Sequence, residues 1–279
     1  LHTGKKENIL PFLDKVKFVE GSICNLELLK REFSGADFVL HQAAIPSVPR
    51  SVRDPVLTNK ANVEGTLNVF SAAKECGVKR VVYASSSSIY GDSEVLPKVE
   101  SMPYNPLSPY AAQKVMGEYY GKLFFQLYGL ETVGLRYFNV FGPRQDPASE
   151  YAAVIPKFIK LIAQNQSPTI YGDGETSRDF SHIKNVINAN LLACSAEGVG
   201  GEVFNIACGR KISLNELVQK INLILSTNLQ PNYSDFREGD IKHSLADLNK
   251  AKQKLGYEVE VDFEEGLRRT VDFFTKDGN

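Results

Sequence analysis

Between residues 15 and 138, short apolar runs alternate with longer amphipathic stretches. KVKFVEG at 15–21, ADFVLHQAA at 36–44, KRVVYASSSS at 79–88 and LETVGLRYF at 130–138 are brief and rich in β-branched and aromatic residues, which predicts strands. The stretch 54–76 opens on Asp54-Pro55, sets Val63, Leu67 and Phe70 at helical spacing and stops at Gly77, which predicts a helix. A second helix is predicted from Pro109 to Tyr128, ended by Gly129. Strands separated by helices of this length pair in parallel through right-handed crossovers, so the expected fold is a doubly wound parallel α/β sheet with helices on both faces. Beyond about residue 140 the pattern changes to FGPRQDPASE and then to shorter elements. The predicted division is a sheet domain over 1–140, rejoined by 180–207, and a smaller α/β lobe formed mainly by 141–279. Ligands of such sheets lie beyond the carboxyl ends of the strands.

Composition narrows the function classes. With 279 residues, 43% hydrophobic and 23% charged, the chain can bury a large core. A net charge of -1 supplies no global field for nucleic acid or a membrane surface, so an anionic ligand has to be held by local groups. Cys24, Cys76, Cys194 and Cys208 stand far apart without C-x-x-C spacing, which points away from metal clusters and disulfide frameworks and toward a reducing cytoplasm. No apolar run approaches the roughly 18 residues of a membrane span, and no basic-then-apolar leader pattern opens the chain.

Two segments carry the chemistry. Tyr110 and Lys114 are four residues apart and share one face of the helix that starts near Pro109. A free phenol, with a pKa of about 10, is a poor base at neutral pH, and a neighbouring cation stabilises its anion. Bringing it to about 7 takes ~4 kcal/mol, within reach of Lys114 and a cationic cofactor ring in a partly dry cleft. A solvated helix face has the same spacing. Ala84-Ser85-Ser86-Ser87-Ser88-Ile89-Tyr90-Gly91 follows an apolar strand, where hydroxyls project into the crevice, although a plain turn reads similarly. A serine there can donate and accept, and so bridge a substrate hydroxyl and the phenol.

Strand, serines, a loop and then Y-x-x-x-K together resemble the extended short-chain dehydrogenase/reductase family over essentially the whole chain, and within it the NAD-dependent nucleotide-sugar 4-epimerases, closest to those acting on UDP-N-acetylglucosamine. The resemblance implies a Rossmann-like fold, NAD as cofactor, a UDP-sugar as substrate and a homodimer built on a four-helix contact. It makes Tyr110 the base for the sugar 4-hydroxyl, Ser86 its relay and Lys114 the group that binds the nicotinamide ribose and lowers the phenol pKa. Further cofactor contacts implied are Ser22, Ile23, Gln42, Ala43, Ala44, Asn59, Ala84, Ser85, Tyr137 and Phe138. Ser22 departs from the Asp that the family commonly carries against adenine. Substrate contacts implied are Ser47, Ser87, Ser88, Asn139, Ala153, Val154, Tyr171, Arg178, Arg237, Asp240 and Ser244, with the two arginines on the diphosphate and Tyr171 on uracil. Ser244 falls where relatives carry Tyr or a smaller residue beside the sugar 2-substituent, so a small side chain implies room for N-acetyl. SVPRS at 47–51 and GPRQDP at 142–147 resemble the same N-acetyl-preferring subgroup.

Related 4,6-dehydratases and decarboxylases carry an acidic residue after the serine strand, whereas Ser87-Ser88-Ile89 has none. A UDP-glucuronate 4-epimerase is a further reading, for which no extra cation is identifiable from sequence. The family's glycine-rich G-x-x-G-x-x-G turn and the acidic residue that follows it have no match here. Leu1-His2-Thr3-Gly4-Lys5 resembles the loop after that residue, so the first β-α-β unit, ~30 residues, is expected to be missing. A catalytically silent, fold-retaining binding protein is the alternative that this departure favours.

Overall fold

The computed structural model describes residues 4–146, 154–236 and 242–277. Its centre is a parallel sheet of β1 (Phe38–His41), β2 (Arg80–Ser86), β3 (Glu131–Tyr137) and the strand Glu202–Ile206, in that spatial order. Period-two alternation sends the strand residues to opposite faces. Val82 and Leu135 pack with Val186, Ala189 and Ala193 of the helix Ile183–Ser195, while Val81 and Tyr83 pack with Val69 and Phe70 of the helix Gly65–Glu75. The doubly wound parallel sheet expected from the sequence is therefore the fold observed.

The predicted strand at 15–21 does not form. A β ladder needs a partner backbone; β1 pairs with β2 on one side, and among the described residues no ladder joins 15–21 to its other edge. The predicted helix at 54–76 forms as three consecutive pieces, Pro55–Asn59, a π-helical turn Lys60–Glu64 and Gly65–Glu75. Asp54 caps its start by accepting from the Leu57 N–H at 3.0 Å.

The helix Pro109–Tyr128 has the predicted bounds. Ser108 Oγ accepts from the Ala111 N–H at 3.2 Å, and Gly129 closes the helix at φ 70°, a left-handed conformation that glycine adopts without strain. Gly121 lets this helix approach the sheet closely, because a Cβ there would stand 2.6 Å from Tyr83 Oη.

A second hydrophobic cluster unites Ile155, Phe158 and Ile162 of the helix Val154–Ala163 with Leu217 and Ile221 of the helix Leu214–Leu225, and with Phe263 and Leu267. Asp179 ties this lobe to the chain around it, its carboxylate accepting from the N–H groups of Cys208, Gly209 and Ala246 at 2.9–3.1 Å. Burial pushes its pKa up to about 6. Among the described residues no helix is long and apolar enough to cross a membrane.

Candidate active site

The carboxyl ends of β1, β2 and β3 lie side by side at one edge of the sheet. β2 ends at Ser86, whose side chain turns back to cap the short turn Ser87–Tyr90. Ser86 Oγ accepts from the Ser88 N–H at 3.1 Å and from the Ser88 hydroxyl at 2.9 Å. Its own proton is thereby left free to turn toward Tyr110, whose phenolate it favours.

One helical turn beyond Tyr110, Lys114 Nζ lies 5.8 Å from the phenol ring centroid and donates to Ala84 O at 2.8 Å. The three residues singled out for catalysis thus meet at the end of β2. The electrostatics differ from the sequence expectation. Burial raises the Tyr110 pKa, against the lowering effect of Ser86, and burial lowers Lys114 to about 8. Desolvation disfavours both charged forms, and at Tyr110 it outweighs the effect of Ser86.

Lys114 has a neighbour that the sequence reading passed over. His41 ends β1, and burial, with Lys114 second, lowers its pKa to about 3, so its ring is neutral. Its Nε2 lies 2.9 Å from Thr66 Oγ1, and the Thr66 hydroxyl donates to Asn62 O at 2.6 Å. With that proton already used, Nε2 must be the donor, which fixes the His41 tautomer. Asn62 sits in the π-helical turn, accepts from the Ile45 N–H at 2.7 Å and donates to Ile45 O and to Gln113 Oε1. It locks the loop after β1 to the helix that carries Tyr110.

Asn59, the asparagine expected at the cofactor, is exposed in the groove lined by Val56, Ala112 and Met116, around the helix from Tyr110. A π turn between the two asparagines sends one inward and the other outward. The sequence signal was a polar residue within an apolar helical pattern, but it did not say which.

Two other expectations change in kind. Ser85 alternates away from the cleft and donates to buried Glu118, and Phe138 is fully buried against Tyr90, so only their backbones can contribute to the cofactor site. Glu118 forms a forked pair with Arg136 at 2.7 and 2.9 Å and accepts from Tyr104 Oη at 2.8 Å, a framework beneath the site.

Gln42, Ala43 and Ala44 follow β1 at the cleft, beside Ala84 and Tyr137. Tyr137 Oη donates to Gln42 Oε1 at 3.0 Å and accepts from Asn190 at 2.8 Å, joining the ends of β1 and β3 to the helix Ile183–Ser195. Ser22 is exposed before the helix Leu26–Phe33, and Ile23 packs against Gly65. Gln42, Tyr137 and Lys114 are the polar side chains anchored at these strand ends.

Two adjoining clefts complete the site. One, of about 290 Å³, is lined by Val48, Ser87, Ser88, Asn139, Arg178 and Ser244. The other, of about 330 Å³, includes Asn139, Val154, Tyr171 and Arg178. Asn139 and Arg178 belong to both, so the clefts form one continuous groove. Ser244 Oγ accepts from Asn139 Nδ2 at 3.2 Å and from the Asp179 N–H at 3.3 Å, which turns the side chain into the wall. Ser47 caps the helix Val48–Arg53 at the edge of the smaller cleft. Ala153, Arg237 and Asp240 lie outside the described residues.

The profile of the NAD dependent epimerase/dehydratase family matches residues 2–207. The UDP-N-acetylglucosamine 4-epimerase of Methanobrevibacter ruminantium, solved with UDP-N-acetylmuramic acid, superposes with a TM-score of 0.95 at 43% identity, covering 99% of this chain and 89% of that one. The UDP-glucose 4-epimerase of Thermotoga maritima, solved with UDP-glucose, superposes at 0.94 with 38% identity and the same coverage. The UDP-glucose 4-epimerase of Mycolicibacterium smegmatis is 37% identical over 279 residues, which is 98% of this chain and 88% of that protein.

Proposed function

The chain belongs to the NAD dependent epimerase/dehydratase family, and from that premise we propose that it is a UDP-sugar 4-epimerase whose preferred pair is UDP-GlcNAc and UDP-GalNAc. The observation that carries the reading is the meeting of Ser86, Tyr110 and Lys114 directly before Ser87 and Ser88, which line a groove with two compartments. The groove suits a nucleotide sugar, with the sugar beside Ser87 and Ser88, the diphosphate at Asn139 and Arg178, and the base beside Tyr171. A guanidinium fits phosphate oxygens at the junction better than an ammonium does.

NAD fits the small-residue cleft at the strand ends and, when bound, supplies a hydride acceptor and donor at sugar C4 together with a cationic ring. The protein moves the proton. Tyr110 Oη takes the proton of the 4-hydroxyl and returns it to the epimeric alcohol. Ser86 donates to the phenol oxygen and so favours its anionic form. Lys114, fixed by Ala84 O, places its charge beside the ring and opposes the effect of burial. His41 stays neutral and adds no competing cation.

Support for the acetamido preference comes from Ser244, whose hydroxyl is engaged by Asn139 and Asp179 and leaves the pocket face unobstructed. The exposed apolar faces of the helices Pro55–Asn59 and Pro109–Tyr128 support a homodimer in which each pair of helices packs against its twin.

The test is incubation of the purified chain with UDP-GlcNAc and NAD, followed by separation of the products. The expected result is interconversion with UDP-GalNAc, reduced by about 10² to 10⁴ in Tyr110→Phe, the usual contribution of a positioned general base. Retention of NAD without interconversion of any UDP-sugar would instead establish the silent binding protein.

A further inference from the structure

Of the hydroxyl groups around the end of β2, Ser87 and Ser88 line the smaller compartment of the groove, whereas Ser86 and Tyr110 line neither compartment. A sugar seated beside Ser87 and Ser88 therefore meets Ser88 before it meets Ser86 or the phenol. The turn that carries Ser88 is firmly held. Ile89 and Tyr90 are buried, the Asn105 N–H donates to Ile89 O at 2.8 Å, and Tyr90 Oη donates to Asn205 at 2.7 Å and accepts from Arg136 at 2.7 Å.

The bond between the two serines has a direction. The Ser88 hydroxyl donates to Ser86 Oγ at 2.9 Å, and the Ser88 N–H donates to the same oxygen at 3.1 Å. Both lone pairs of Ser86 are then occupied, and its single proton is the one left for Tyr110. Ser88, with its proton committed to Ser86, keeps two lone pairs, and among the described residues nothing donates to them. It is thus ready to accept a proton from the compartment and already aligned to pass one inward.

We propose that Ser88 is a further catalytic residue, the outer link of a two-serine relay that carries the proton of the sugar 4-hydroxyl to Tyr110. This rests on the UDP-sugar 4-epimerase reading and extends its mechanism. The 4-hydroxyl donates to Ser88 Oγ. As hydride leaves C4 for NAD, the sugar O–H bond breaks and its proton passes to Ser88, the Ser88 proton passes to Ser86, and the Ser86 proton forms the new O–H bond of Tyr110. Each serine gains one proton and loses one, so the phenolate becomes a phenol, the C4 alcohol a ketone and NAD its reduced form. Return of the hydride to the other face of C4 runs the same three transfers backwards. The base stays in its desolvated position beside Lys114 and need not enter the open groove, where water would weaken the pairing of phenolate and ammonium.

The rate at which enzyme-bound NAD becomes reduced on mixing with UDP-GlcNAc, followed by nicotinamide absorbance, reports the proton and hydride transfers directly. Ser88→Ala, which keeps the backbone N–H on Ser86, should slow this step by about tenfold or more, as loss of a positioned acid–base group does. KM for UDP-GlcNAc should stay within about twofold. Ser88→Thr, which retains a hydroxyl, should restore most of the rate. In mixtures of light and heavy water the wild-type rate should fall along a curve, because several protons move in one step. An unchanged reduction rate in Ser88→Ala overturns the proposal and leaves the epimerase reading standing. A variant that raises KM alone does the same, since that marks a sugar contact outside the proton's path, as does a straight-line dependence on heavy water. A wild-type chain that interconverts no UDP-sugar and reduces no NAD with any overturns the epimerase reading itself and this one with it.

Discussion

At Tyr110 burial and the Ser86 hydroxyl act in opposite directions, and burial prevails, so the phenol pKa is raised and the phenol is protonated at neutral pH. Lys114 gives this a measurable edge. Its pKa falls from 10.5 to about 8, so its ammonium is present below that pH and lost above it. If that charge supports the phenolate, kcat/KM should decline as pH rises through about 8, which a pH–rate profile will show. Stability should move the other way. Between about 8 and 10.5 the unfolded chain binds more protons than the folded one, so unfolding should become harder as pH rises across that window. Ser244 is the second residue whose size matters more than its hydrogen bonds. Ser244→Tyr should reduce turnover of the acetamido sugars roughly tenfold or more while sparing UDP-glucose, the discrimination that a filled pocket gives. Equal kcat/KM for UDP-GlcNAc before and after the substitution would remove the basis for the N-acetyl preference.

The helix Pro109–Tyr128 owes its length to local signals and its position to glycine. An alanine at 121 would gain about 1 kcal/mol of helix propensity. Its Cβ would also stand 2.9 Å or less from the Tyr83 ring, which has Gly134 on its other side and Phe70 edge-on at 5.3 Å. Tyr83 has nowhere to retreat, and overpacking of this kind costs about 1–3 kcal/mol. Gly121→Ala is expected to destabilise by up to about 2 kcal/mol net in urea unfolding, and to weaken catalysis because Tyr110 and Lys114 ride on the same helix. The π-helical turn at Lys60–Glu64 is the corresponding device in the neighbouring helix. It brings Asn62 round to clamp Ile45 and Gln113, and no sequence periodicity reports a single extra residue in a turn.

For the whole molecule, the sheet sets out the strand ends and residues of the second hydrophobic cluster line the larger cleft, so both parts contribute walls to the groove. Both helices at one side keep apolar faces in solvent, with Val56 80% and Leu127 66% exposed. If these faces pair across a two-fold axis, the chain should sediment as a dimer, and Val56→Asp combined with Met116→Asp should shift it to monomer.

What was legible in the sequence was legible for local reasons. Apolar spacing placed β1 to β3 and both long helices, Gly129 stopped one of them, and four-residue spacing put Tyr110 and Lys114 on one face after a strand ending in serines. These follow from backbone geometry and need only neighbours along the chain. What the tertiary structure decided depends on partners distant in sequence. The apolar run at 15–21 pairs with no other strand among the described residues, Ser85 serves Glu118 and not the cleft, and Asn62 rather than Asn59 turns inward. The burial that raises the Tyr110 pKa and lowers that of Lys114 likewise arises only when separate segments exclude water together.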